Sequence, residues 1–148
     1  MNAIEIVLLT AAILLIVLAV TFLVVRQLRM RGEADVRAKY PAARLVIPNA
    51  LFVGQESKGV TQVRGNGTLA VTDRELYFRR WLPDTEYVIL LDSIQTIETP
   101  LAFLHKSYRR PLLRVNYRAE NGQPDAMGWY VPDAESVKRQ IEALRGGS

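Results

Sequence analysis

IVLLTAAILLIVLAVTFLVV, residues 6–25, decides where the rest of the chain must sit. The stretch holds no charge, no Gly and no Pro, and only Thr10 and Thr21 interrupt its apolar run. At about 1.5 Å per residue, some ~20 helical residues span the ~30 Å hydrocarbon core of a bilayer. Apolar side chains fall on every face, so the helix has no polar side to turn towards water. The pattern predicts a transmembrane helix over residues 1–25. A cleaved signal peptide requires basic residues ahead of a shorter core. Here the core is preceded by Glu5 and followed by Arg26, Arg29 and Arg31. A buried helix of a soluble protein is usually only ~10–14 residues of such composition. Basic flanks favour the cytoplasmic side, so the N-terminus is expected outside and the following domain in the cytoplasm of a single-pass cell-membrane protein.

The chain has 19 Lys and Arg against 15 Asp and Glu, a net charge of +4. The excess is local. Residues 26–44 hold six basic and two acidic residues, whereas residues 45–148 hold 13 and 12. A near-neutral domain behind a basic flank excludes nucleic acid as the expected partner and makes Arg26, Arg29 and Arg31 candidate contacts for lipid headgroups. No cysteine is present, which removes disulfides and thiolate metal sites. Residues 26–44 read as a basic juxtamembrane linker: Gly32 ends the flank, a short helix follows from Glu33, and Pro41 stops it. Residues 45–148 suffice for one domain.

Beyond Arg44 the periodicity changes to short strands between turn signals. Leu45 and Ile47, then Leu51 and Val53, alternate around Pro48-Asn49. Val60 to Arg64 and Leu69 to Thr72 are the next runs, with Asn66-Gly67 between them as a tight-turn signal. Asn66-Gly67-Thr68 is also a glycosylation sequon, but a cytoplasmic domain leaves it only the turn role. Asp73-Arg74 and Pro83-Asp84 are further turns, flanking strands at Glu75–Trp81 and Glu86–Leu91. Leu112 to Arg118 alternates cleanly, with Leu113, Val115 and Tyr117 on one face. Asn121-Gly122 turns the chain into Ala126–Val131. Asp133 then caps a helix to about Leu144, whose stripe Val137, Ile141 and Leu144 packs on the sheet. Gly146-Gly147-Ser148 reads as a frayed tail. The fold class is mainly β: about seven strands in a sandwich closed by a C-terminal α-helix, behind one membrane helix.

The stretch GTLAVTDRELYF, Gly67–Phe78, is similar to the G-x-L-x-(I/V)-T-(N/D)-x-x-L-x-F strand pair of GRAM-type domains. LLDSIQTIE, Leu90–Glu98, resembles their following I-P-L-x-x-I-x-x-V element, with Leu90 in place of the Pro. Over roughly residues 50–145 the chain therefore resembles the pleckstrin-homology-like superfold, in its GRAM and bacterial PH-like branches. That resemblance implies a binding module, and the fold hosts many functions.

Chemistry is sparse. His105 is the sole histidine, no Gly-x-Ser-x-Gly elbow surrounds any serine, and Gly65-x-Gly67 precedes a strand and not a phosphate-cradling helix. The chain is read as non-enzymatic, with no catalytic, metal or cofactor residues. Lys106, Arg109, Arg110, Arg114 and Arg118 form a stretch free of acidic residues and are candidates for anionic-surface contact. The family's lipid-headgroup pattern is matched thinly by Lys58 and Arg64, so the expected contact is generic. Arg79, Arg80 and Trp81 at a hairpin end are a candidate interaction tip. The expected function is a membrane-anchored PH-like module that recruits or regulates protein partners at the inner membrane surface. The alternative is a peripheral module binding anionic lipid through Lys106–Arg118.

Overall fold

The computed structural model describes residues 1–146; Gly147 and Ser148 of the tail read as frayed lie outside the described residues. The first helix, α1, runs Ala3–Lys39. Asn2 and Glu5 cap it reciprocally, the Glu5 N–H donating to Asn2 Oδ1 at 2.8 Å and the Asn2 N–H to Glu5 Oε2 at 3.1 Å. Thr10 and Thr21 donate their hydroxyls to the carbonyls of Ile6 and Val17, each at 2.8 Å, so no polar group in the apolar run lacks a partner. The run itself is exposed along its length, and among the described residues α1 is the one helix long and apolar enough to cross a membrane.

One expectation is corrected here. Gly32 does not break the helix, and residues 33–39 are not a separate segment; α1 continues unbroken to Lys39 and ends at Tyr40, ahead of Pro41. Gly32 and Val36 are buried because this end of α1 lies against the domain, so the polar stretch is held by the domain's surface.

The domain comprises β1 (Leu45–Gln55), β2 (Gly65–Val71), β3 (Glu75–Arg80), β4 (Thr85–Leu90), β5 (Ile94–Glu98), a small hairpin of β6 (Ala102–Phe103) and β7 (Lys106–Ser107), β8 (Leu113–Arg118), β9 (Pro124–Tyr130) and α2 (Ala134–Gly146). Seven strands form one antiparallel sheet in the order β4-β3-β2-β1-β9-β8-β5. If the sheet were flat, its edge strands β4 and β5 would lie about 29 Å apart at ~4.8 Å per strand. Only the single 3-10 turn Leu91–Ser93 joins them, and four residues reach at most about 14 Å. The sheet therefore curls until its two edges approach.

The inside of the curl is the main core, built from Phe52, Leu69, Phe78, Leu113, Val115 and Trp129. The rings of Phe52 and Phe78 lie 5.6 Å apart, and those of Phe52 and Trp129 5.9 Å. Helix α2 supplies Val137 and Ile141 to this core, with Leu144 half-buried at its edge, as the stripe predicts. Asp133 Oδ1 accepts from the Ser136 N–H at 3.1 Å and starts the helix.

Three local expectations also change. Val60 to Arg64 is a loop, with Val60 and Val63 exposed. Asn66-Gly67 is no turn; it lies inside β2, where Gly67 pairs with Ala50 on one side and Arg80 on the other. A Cβ there would sit 2.1 Å from the Arg79 carbonyl oxygen, so Gly serves close strand approach. At Pro48-Asn49 a bulge shifts the register of β1, which turns Ala50 and Phe52 inward and leaves Leu51 outside.

Candidate functional site

The outer face of β2 and β3 receives the last turns of α1. Trp81 meets Gly32 so closely that a Cβ at position 32 would fall 2.3 Å from the indole Nε1. That Nε1 donates to Thr68 Oγ1 at 3.2 Å. One turn later Val36 is buried against Ala70 and Tyr77, and the rings of Tyr40 and Tyr77 stand 4.9 Å apart. Polar contacts border the seam. Tyr77 Oη donates to Glu86 Oε1 at 2.7 Å, and Lys39 Nζ reaches the same oxygen at 3.3 Å. Arg79 spans Asp84 at 2.9 Å and Asp35 of α1 at 3.2 Å. These contacts set the protonation states. Hydrogen bonds from Tyr77 and then Lys39 hold the Glu86 carboxyl below its ordinary range, and that from Arg79 does the same for Asp84. Burial, reinforced by Glu75, pushes the Tyr40 phenol up to about 12.

The three residues expected as an interaction tip are thus engaged within the chain. Arg79 and Trp81 belong to the seam. Arg80 turns inward on the face of Leu76 and Phe78 and is 5% exposed. Its guanidinium donates to the carbonyls of Pro83 at 3.1 Å and Val63 at 2.9 Å, and to the hydroxyl oxygens of Tyr87 at 3.2 Å and Thr85 at 2.7 Å. It fastens the 59–64 loop to the β3–β4 turn.

The residues of the expected basic region lie on two elements. Lys106, Arg109 and Arg110 are exposed on and after the β6–β7 hairpin. Arg114 faces Glu56 at 3.4 Å and Glu98 at 3.9 Å, and its guanidinium lies over the Phe103 ring. Arg118 stands about 14 Å further along β8 and donates to the Gly122 carbonyl at 2.9 Å. Arg26, Arg29 and Arg31 are exposed on α1. Lys58 is exposed and Arg64 half-buried beside the 59–64 loop; Arg64 lines an open groove of about 490 Å³ together with Val60, His105 and Lys106.

Two features carried no local signal. Asp125 is 7% exposed and accepts from Gln55 Nε2 at 2.7 Å, Ser57 Oγ at 2.7 Å, the Ser57 N–H at 3.0 Å and Tyr117 Oη at 3.1 Å. Burial alone would raise its carboxyl, but the hydrogen bonds from Gln55, from the Ser57 hydroxyl and from the Ala126 and Ser57 N–H groups outweigh burial and hold it below the ordinary value. Burial, then the Asp125 charge, raises the Tyr117 phenol. The cluster ties the turn after β1 to β8 and β9. The second feature is the edge position of β4, a strand expected from the sequence that pairs with β3 alone. Its outward Val88 and Leu90 are 48% and 56% exposed, alongside the seam. No group of His, Cys, Asp and Glu among the described residues could hold a metal ion.

No family pattern matches the chain, and no curated protein matches it in sequence. Solved structures do match in shape. A structure of the C-terminal domain of an unknown protein from Leishmania infantum aligns with a TM-score of 0.55 and 14% identity, covering 76% of this chain and 96% of that one. A chain of the 8S snRNP assembly intermediate aligns at 0.53 and 9% identity, covering 71% of this chain and 83% of its own length. At such identities the likeness is one of fold.

Proposed function

We propose that the chain is a single-pass membrane protein, N-terminus outside, whose cytoplasmic domain is a non-enzymatic PH-like module recruiting or regulating a protein partner at the inner membrane surface. The arrangement of four meandering strands, a second strand set pairing back onto β1, and a closing helix supports the PH-like reading together with the GRAM-like stretches. The basic flank of α1 supports the orientation.

The observation that carries the interaction reading is the β4 edge. An edge strand leaves alternate backbone N–H and C=O groups free to pair with an added strand. Here the same strand exposes Val88 and Leu90 beside a helix that holds the domain at one height over the bilayer. A partner strand laid along β4 gains backbone bonds and covers both side chains. Placing a photoreactive residue at Val88 or Leu90 of the full chain, in its native membranes, tests this. The reading expects a discrete protein adduct from both positions and none from Glu120 in the β8–β9 turn. No adduct from either β4 position defeats it. The dispersed basic region makes the Lys106–Arg118 lipid surface the weaker alternative, since Arg114 and Arg118 already have partners.

A further inference from the structure

The register of β4 fixes which of its backbone groups point out of the sheet. The Leu91 N–H donates to the Arg74 carbonyl at 2.9 Å, and β4 pairs antiparallel with β3 from Leu90 opposite Glu75 to Thr85 opposite Arg80. In such a pair alternate residues exchange bonds with the neighbouring strand. Thr85, Tyr87 and Ile89, in step with Leu91, therefore turn their backbone towards β3. Glu86, Val88 and Leu90 turn theirs away from it. The Leu90 carbonyl accepts from the Ser93 hydroxyl at 2.7 Å, which ends the row. The groups offered to a further strand are thus the N–H and C=O of Glu86 and Val88 and the N–H of Leu90. The side chains of the same residues are exposed on the outer face. The other edge of the sheet is fastened instead. At either end of β5, α2 is bonded to it, through Arg145 Nη2 to the Ile94 carbonyl at 2.7 Å and through Glu135 to the Thr99 hydroxyl.

The charge of this edge has one sign. Residues 81–105 contain Asp84, Glu86, Asp92 and Glu98 and neither Lys nor Arg. The cations that answer them come from elsewhere and are shared. Arg79 lies between Asp84 and Asp35, Arg114 between Glu98 and Glu56, and Arg145 lines a cleft with both Asp92 and Asp73. Glu86 meets Lys39, yet its side chain stays 50% exposed. A strand that brings Lys or Arg to this edge is complementary to it, and an acidic strand is repelled. A second copy of the chain does not fit. Asp84 shares a cleft with Leu28 and Arg31, whereas Glu86 meets Lys39, so β4 runs in the direction of α1. Two β4 strands related by a two-fold axis pair antiparallel, with the axis perpendicular to them. The two α1 helices would then point in opposite directions, which a shared membrane orientation forbids.

We infer that the strand received by β4 belongs to another protein and is basic, with alternate apolar residues covering Val88 and Leu90 and a Lys or Arg lying beside Glu86. The partner is a cationic extended segment and not a second copy of this chain. This rests on the β4 reading of the proposed function and, for the exclusion of self-pairing, on α1 spanning the membrane.

The full chain, with a photoreactive residue at Val88, is reconstituted in vesicles of phosphatidylcholine, whose neutral surface does not itself collect charged peptides. The probes are fluorescent peptides in which Thr alternates with Lys, Ile, Val, Lys and Arg. A second peptide carries Glu in the three basic positions. Two more are the basic peptide methylated on one or the other set of alternate backbone nitrogens. The inference expects an adduct with the basic peptide, at least a fivefold lower yield with the Glu peptide, and loss of the adduct from one methylated set only. A difference smaller than fivefold between the basic and Glu peptides overturns the inference and leaves the β4 reading standing. No adduct from any peptide, or the same response to both methylated sets, overturns both. The chain has no cysteine of its own, so self-pairing is read separately. In native membranes Val88→Cys chains should oxidise to a disulfide dimer no faster than Glu120→Cys chains. Faster dimerisation at Val88→Cys makes a second copy the partner and overturns the inference alone.

Discussion

Asp125 offers the sharpest test of how the second strand set is tied to the first. Asp125→Ala removes the acceptor shared by Gln55, Ser57 and Tyr117. Ser57 is exposed, so its two donors can turn to water. The Gln55 amide and the Tyr117 hydroxyl are covered, and a stranded buried donor costs about 1–3 kcal/mol. Two such donors would cost about 2–6 kcal/mol, but Gln55 Nε2 and Tyr117 Oη still hold each other at 3.1 Å, which puts the expected loss in the lower part of that range, about 2–4 kcal/mol. Asp125→Asn keeps Oδ1 for the Ser57 and Ala126 N–H groups; the two hydroxyls can rotate to accept from the new amide, and the Gln55 amide must flip to present its oxygen in place of Nε2. The Asn variant should cost about 1 kcal/mol. The pH dependence has a fixed sign. The folded carboxyl titrates below its unfolded value of about 3.9, so its stabilisation is complete above that pH and fades as pH falls through the folded value. The gap between wild type and Asp125→Asn should therefore shrink below about pH 4. Urea unfolding of the full chain in micelles, followed by tryptophan fluorescence at neutral and acid pH, measures both effects. An Asn variant as damaging as Ala, or a gap that stays constant on acidification, refutes the reasoning.

Other parts of the structure make equally specific demands. Gly67→Ala places a methyl 2.1 Å from the Arg79 carbonyl oxygen and 2.6 Å from Phe78 Cζ; because backbone must move, the same unfolding assay should show a loss of about 3 kcal/mol or more. Ile141→Ala empties a fully buried site under α2 and should cost about 2–5 kcal/mol, a near-zero change meaning that α2 is not docked. For the proposed orientation, a thiol at Glu120→Cys should resist an impermeant maleimide in intact cells and react after lysis. Labelling in intact cells would reverse the topology.

How far the sequence could be read follows the range of the physics behind each feature. The apolar run, the turns at Asp73-Arg74, Pro83-Asp84 and Asn121-Gly122, and the α2 stripe are local, and the structure has each of them. Gly122 indeed takes the left-handed φ of +82°. Gly67 and Gly32 misled because glycine marks a turn or a helix end by default. In both places it instead makes room for a residue elsewhere in the chain, Arg79 and Trp81, and no local pattern reports that. The bulge at Pro48-Asn49 reversed the facing of Leu51 because a single extra residue flips a period of two. Asp125 was invisible since its partner Gln55 is 70 positions away. Arg80 did leave a signal: alternation with Leu76 and Phe78 places it on the inner face, where a surface tip is excluded.

The central claim is that α1 and the domain move as one body, since the seam sets where the β4 edge stands relative to α1. Spin labels at Arg29→Cys and Gln140→Cys in the full chain, reconstituted in a bilayer, measure it by pulsed dipolar spectroscopy. The account predicts one narrow distance distribution for the wild-type seam. It also predicts a broad distribution in Gly32→Leu, whose side chain must displace Trp81. A wild-type distribution as broad as that of Gly32→Leu would contradict it.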